Sequence, residues 1–282
     1  MNDQNTRTGG NAPDFGFCTW IFGDLPLPEI AEKASSLRFP DLELLGDVDG
    51  IDPATARDLF SDHGISVRSL TPMDADIAHP DGGIREKALD YYRRLADFAA
   101  KIGSPIFACH GLVGRIASLS SQEEENDLLI DSVDRIAGFA EDVGVSVVFE
   151  VLNRYESHQI NTCAQGLDLI SKVGRQNLSL LLDAYHMNIE EASPDGAIRQ
   201  AGDHLGLYHA ADSHRGAVGS GHTDFAGQVE ALKAINYDGP IILELTASGP
   251  NPFTPVKRGD YRATVTDMLD QSRDALIRLW AE

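Results

Sequence analysis

The chain has 282 residues, 42% of them hydrophobic, enough for one large domain or two small ones. Its 44 acidic residues against 23 basic give a net charge of −21, which argues against the basic stripe that a duplex-binding surface needs. Three scattered cysteines, Cys18, Cys109 and Cys163, form neither a CxxC pair nor a disulfide framework, and no stretch approaches the roughly 20 apolar residues of a membrane span.

Residues 1–13 read as a disordered polar tail without the apolar region of a secretory signal, so a reducing cytoplasm is the expected location. The remainder, 14–282, reads as one domain. Phe15 to Trp20 is a first strand and Pro28 to Leu37 a short helix. Asp41 to Leu45 is a second strand, followed by a helix from Pro53 to Asp62 that Gly64 closes. Ile65 to Leu70 is a third strand. Ile84 to Ile102 is a helix with Leu89, Tyr92, Leu95, Phe98, Ala99 and Ile102 along one face. Pro105 to Cys109 is a fourth strand, and Gln122 to Val143 a helix whose acidic first turn, Glu123 to Glu125, suits the helix dipole and reads as solvated.

Two apolar runs follow, Val145 to Phe149 and Leu178 to Leu182, and each delivers a carboxylate at its end, Glu150 and Asp183. A helix from Thr162 to Val173 lies between them, which is the βαβ pattern of parallel strands. Asp195 to His204 is a helix, Leu207 to Ala211 a seventh strand, Phe225 to Ile235 a helix and Pro240 to Leu245 an eighth strand. A helix from Tyr261 to Trp280 closes the chain. Such alternation predicts a single-domain (β/α)8 TIM barrel, an α/β fold. The first strand lacks the Gly-rich turn that an open dinucleotide-binding sheet would require.

In a barrel of this kind, side chains at the carboxyl ends of the strands converge. The last four strands each put a metal-competent residue there: Glu150, Asp183, His209 and Glu244, spaced about one βα unit apart. Three carboxylates and an imidazole make a hard, oxygen-rich site suited to one divalent ion, Mn²⁺ first, with Co²⁺ or Mg²⁺ as alternatives. Without a cation they would repel one another.

A second set surrounds them. Arg154, Glu156, His186 and Arg215 could meet the hydroxyls of a polyhydroxylated ligand, although Arg154 could equally pair with Glu156. His158, His214 and His222 read as solvated loop residues. Trp20 reads as either a stacking wall for a sugar or barrel filler.

The runs EVLNRYE (Glu150 to Glu156), LDAYHMNIEE (Leu182 to Glu191), HAADSHR (His209 to Arg215) and ILE (Ile242 to Glu244) resemble the sugar isomerase/epimerase superfamily of xylose isomerase-like barrels. Within it, the resemblance is to the ketose 3-epimerases of the D-tagatose and D-psicose (allulose) type. It implies Glu150, Asp183, His209 and Glu244 as metal ligands, and Glu156, His186 and Arg215 as contacts to the substrate's terminal oxygen. It also implies a sugar or polyol substrate and a homodimer or homotetramer. The activity implied is epimerisation at C3: the ion eases enediolate formation, while Glu150 and Glu244 remove and return the proton on opposite faces. The segment LTASGPNPFTPVK after Glu244 departs from the epimerase pattern. The same site would also serve a sugar or inosose isomerase or dehydratase, or the metal-bearing barrel subunit of a C-glycoside-cleaving complex. An abasic-site endonuclease shares the barrel but needs a basic groove, against a charge of −21.

Overall fold

The computed structural model describes residues 13–249 and 251–282. Of the tail expected over residues 1–13, residues 1–12 lie outside the described residues. The strands are β1 (Phe15–Cys18), β2 (Asp41–Leu45), β3 (Ser66–Thr71), β4 (Ile106–Cys109), β5 (Ser146–Glu150), β6 (Leu178–Asp183), β7 (Leu205–Ala210) and β8 (Ile241–Leu243). All pair in parallel, in the order β3-β2-β1-β8-β7-β6-β5-β4. β3 and β4 lie side by side at the seam, without a backbone ladder among the described residues. This is the (β/α)8 barrel that the alternation predicts.

Apolar β-branched and aromatic runs put the wall's side chains out of water. Phe17, Phe107, Phe149, Leu180, Leu207 and Ile242 are all buried, and each such side chain contributes about 1.5–3 kcal/mol. β1 is squeezed between its neighbours at Gly16. A Cβ there would lie 2.7 Å from Ile242 Cδ1 and 2.8 Å from the Asp41 carbonyl oxygen, so only glycine fits.

The helices are α1 (Leu27–Ser36), α2 (Pro53–Asp62), α3 (Gly82–Ile102), α4 (Gln122–Asp142), α5 (Cys163–Val173), α6 (Ala184–Glu190), α7 (Pro194–Ala201), α8 (Phe225–Ala234) and α9 (Tyr261–Ala281). Their ends follow capping chemistry. Thr162 and Gln165 form a capping box at the start of α5, and Gly174 takes the left-handed φ of 72° that stops it. No helix among the described residues is long and apolar enough to cross a membrane.

Three departures from the sequence reading bear on function. The first strand stops at Cys18, and Thr19–Phe22 form a 3-10 turn that leaves Trp20 half-buried. Helix α6 was not predicted. It starts because the Asp183 carboxylate, ending β6, accepts from the Tyr185 backbone N–H at 2.8 Å. The helix expected through His204 ends at Ala201 and is followed by a 3-10 turn, Gly202–His204.

A candidate metal centre at the barrel mouth

Glu150 and Asp183 are the last residues of β5 and β6, His209 is next to last in β7, and Glu244 follows β8 directly. The barrel brings them together. Each offers a ligand atom, and these atoms all lie within 4.8 Å of one another. All four side chains are buried.

Their bonding is incomplete. Asp183 Oδ1 caps α6, but Oδ2, lying 3.8 Å from His186 Nε2, has no hydrogen-bond partner among the described residues. His209 Nδ1 likewise has none, although it lies 3.6 Å from Glu244 Oε2 and 4.0 Å from Glu150 Oε1. Buried polar atoms are almost always satisfied, so orphaned lone pairs converging from different strands fit a cation. The donor set suits a hard divalent ion.

The electrostatics of the chain alone agree. Burial, then the Glu244 charge, pushes the Asp183 carboxyl up to about 7. Burial and Glu244 also raise Glu150 well above the usual carboxylate range. Glu244 goes the other way: burial opposes its charge, but Arg215 and His209 more than offset it and hold the carboxyl well below the usual range. In the chain alone burial opposes the His209 imidazolium, but Glu43 and Glu244 outweigh it and favour that form, a proton standing where an ion would supply the positive charge.

Arg215 follows β7 in a loop held by Asp212. The Arg215 N–H donates to the Asp212 carbonyl at 2.7 Å, and the Asp212 carboxylate accepts from the backbone N–H groups of Ser213, Gly219 and Thr223. Arg215 has a φ of 60°, an uncommon left-handed conformation for a side-chain-bearing residue. Its guanidinium donates to Glu244, lies 3.8 Å from Glu156, and is surrounded by the rings of Tyr185, Phe253 and Trp20 at 5.0, 5.5 and 5.7 Å. A cavity of about 600 Å³ opens beside it, lined by Glu156, Tyr185, His214, Thr246 and Phe253 among others.

His186, on α6, accepts from the Asn153 backbone N–H at Nδ1, 3.1 Å away. An acceptor Nδ1 leaves the hydrogen of a neutral ring on Nε2, which lies 3.7 Å from Glu150 Oε1. Burial first, then Arg215, keeps the ring neutral by pulling its pKa well down. It is therefore a fixed donor aimed at the carboxylate cluster.

Trp20 is not barrel filler. Its Nε1–H donates to Glu244 Oε1 at 3.0 Å and its ring stacks on Phe253, centroids 5.7 Å apart. Arg154 pairs with Glu190 rather than Glu156, because α6 brings Glu190 under the loop after β5. His214 and His222 are exposed, as expected. Two expectations of solvation fail. Glu125 is fully buried and accepts from Leu119 N, Ser120 N and Arg115, while His158 Nε2 lies 2.9 Å from its carboxylate. Arg115 also reaches Asp76 at 2.9 Å, so this network ties the loops after β3, β4 and β5 together.

Sequence reasoning missed Glu43, which lies inside β2, fully buried and 3.2 Å from His209. An acidic residue in the middle of the apolar run DLELL was the available signal. It also missed Asn153, which orients both His186 and Glu156.

Comparison with known proteins extends the picture. The xylose isomerase-like TIM barrel family matches residues 32–265. L-ribulose 3-epimerase of Methylomonas sp. is 34% identical over 204 residues, 70% of this chain and 70% of that protein. D-psicose 3-epimerase of Agrobacterium fabrum is 31% identical over 227 residues, 76% of this chain and 77% of that protein. The crystal structure of D-allulose 3-epimerase from Methylomonas sp. in complex with D-allulose has a TM-score of 0.82 at 27% identity, covering 95% of this chain and 97% of that one.

Proposed function

This chain belongs to the xylose isomerase-like TIM barrel family, and on that footing we propose that it is a metal-dependent ketose 3-epimerase. One observation carries the reading: four strand-end side chains that could hold an ion converge, with Asp183 Oδ2 and His209 Nδ1 left without a hydrogen-bond partner among the described residues. The 3-epimerase names of its relatives support the reaction and the sugar substrate.

In this reading Glu150, Asp183, His209 and Glu244 hold the ion, and when bound it supplies Lewis-acid polarisation of the ketose carbonyl. The chain does the rest. Arg215 and Glu156 grip the terminal oxygen end of the sugar, and His186 Nε2–H donates to a substrate oxygen. The aromatic wall of Trp20 and Phe253 excludes water from the reacting carbons. Glu150 and Glu244 handle the C3 proton, one on each face of the sugar, from strands separated by β6 and β7. Trp20 and Arg215 hold Glu244 in place by a hydrogen bond to each of its oxygens.

The hard donor set favours Mn²⁺. Three free, buried cysteines fit a reducing cytoplasm. The motif resemblance supports a homodimer or homotetramer.

The test is turnover of L-ribulose, D-psicose and D-tagatose in D₂O by the Mn²⁺-loaded protein, with the label located by NMR. The carboxylate that returns the proton exchanges with solvent at the barrel mouth, so deuterium should appear at C3 and nowhere else. Label at C1 or C2 with none at C3 would mean an aldose–ketose isomerase on the same site.

A further inference from the structure

We infer that Glu43 is a positioning residue that fixes the His209 ring so that Nδ1 faces Glu150 and Glu244. The inference rests on the reading of those side chains and Asp183 as a metal site. It starts in the ladders. Glu43 pairs with Cys18 across β1 and, after a register shift between Leu42 and Glu43, with Ser69 across β3. That register places donors around one carboxylate: Ser69 Oγ at 2.5 Å, Thr71 Oγ1 at 2.6 Å and Cys18 Sγ at 3.3 Å. The remaining contact spans the barrel interior to β7, where His209 Nε2 lies 3.2 Å from Glu43 Oε2.

Two hydroxyls, a thiol and an imidazole N–H together fill the acceptor sites of one carboxylate. A carboxylate so arranged can only accept, so His209 must carry a hydrogen on Nε2. The lone pair of the neutral ring then sits on Nδ1, the atom that has no partner among the described residues. A carboxylate behind a ligand histidine fixes ring orientation and raises ligand basicity. Glu43 touches neither the ion nor the substrate in this arrangement; it acts through His209.

The experiment titrates Mn²⁺ into the full chain stripped by chelator, for wild type, Glu43→Gln, Glu43→Leu and Thr71→Val. Gln keeps an acceptor and loses the charge, Leu keeps neither, and Thr71→Val removes one support of the carboxylate. Mn²⁺ affinity should fall about 10-fold in Glu43→Gln and up to about 100-fold in Glu43→Leu, with a smaller fall in the same direction for Thr71→Val. The visible bands of the Co²⁺-loaded protein should shift in Glu43→Gln, and at saturating Mn²⁺ its kcat should fall with KM held. Should Glu43→Leu fail to fold, Glu43→Gln and Thr71→Val carry the test. Wild-type affinity and wild-type Co²⁺ bands in Glu43→Gln, with only a lowered melting temperature, would make Glu43 structural and overturn the inference. A wild-type chain that takes up no Mn²⁺ overturns the metal reading and this inference with it.

Discussion

Two clusters of buried charge, one at the start of α4 and one at the strand ends, are wired in opposite ways. Around Glu125, both carboxylate oxygens are satisfied from within the chain, by Leu119, Ser120, Arg115 and His158, and Arg115 reaches on to Asp76. Around Asp183, three carboxylates and an imidazole crowd together, and Asp183 Oδ2 and His209 Nδ1 are left without a hydrogen bond from any described residue. Burial of charge is common to both, so burial alone does not distinguish a clamp from a site. The distinguishing property is unspent bonding capacity. Burial holds Glu150 and Asp183 towards their neutral forms, whereas Glu125 is held ionised: burial opposes its charge, but the Ser120 and Leu119 N–H groups and Arg115 bring its pKa down to about 2.

The sharpest break in that contrast comes from Asp183→Asn. Wild type should carry about one divalent ion per chain, and the variant should lose it along with turnover, because a buried anionic ligand is gone. The melting temperature of the ion-free chain should hold or rise, since one of several like charges has been removed. Metal content measured by plasma emission settles the first part, and normal content with normal turnover would take Asp183 out of the site. Arg215→Ala should do less. Its contacts are to Glu156, Glu244 and the aromatic wall, so KM should rise about 10- to 100-fold, the equivalent of roughly 1.4–2.8 kcal/mol, while the metal stays. Equal loss of metal and of substrate binding would mean that Arg215 belongs to the ion's shell.

The smallest effect on turnover is expected in the satisfied cluster. Glu125 has a folded-state pKa depressed to about 2. Its contribution is therefore complete above the ordinary glutamate value and is lost as pH falls from about 4.5 towards 2, up to about 3 kcal/mol in all. Glu125→Gln should flatten the dependence of stability on pH in that window, read by urea unfolding at a series of pH values. Metal content and KM should be those of wild type. A large fall in turnover would join the two clusters into one functional unit.

The strands were legible because each is a short apolar run with its own turn chemistry, and the four candidate ligands because they stand at equivalent ends of successive runs. Helix α6 was not legible: its seven residues, AYHMNIE, follow β6 with no loop, and the cap is Asp183, the last residue of β6. Proximity in sequence offered Glu156 as one of two equal readings for Arg154, and the observed partner, Glu190, arrives only when α6 folds back. Glu125 looked solvated because an acidic first turn normally is. Its burial depends on loops after β3, β4 and β5 meeting above the barrel, a tertiary event with no local signature. Glu43 and Asn153 were missed for a related reason. Each touches His209 or His186, and such partners become visible only once the histidines have places in space.

The φ of 60° at Arg215 puts a strained backbone beneath a buried ion pair with Glu244. Holding a side-chain-bearing residue in the left-handed region costs about 1–2 kcal/mol, which glycine would not incur and asparagine would incur less. Removing the guanidinium would leave the buried Glu244 carboxylate without its partner, a loss of about 3–5 kcal/mol that exceeds the strain relieved, so laboratory evolution scored on heat resistance alone would keep Arg215. A thermostabilised version of this chain would therefore carry that strain unchanged and find its gains in the helices on the barrel's outer face.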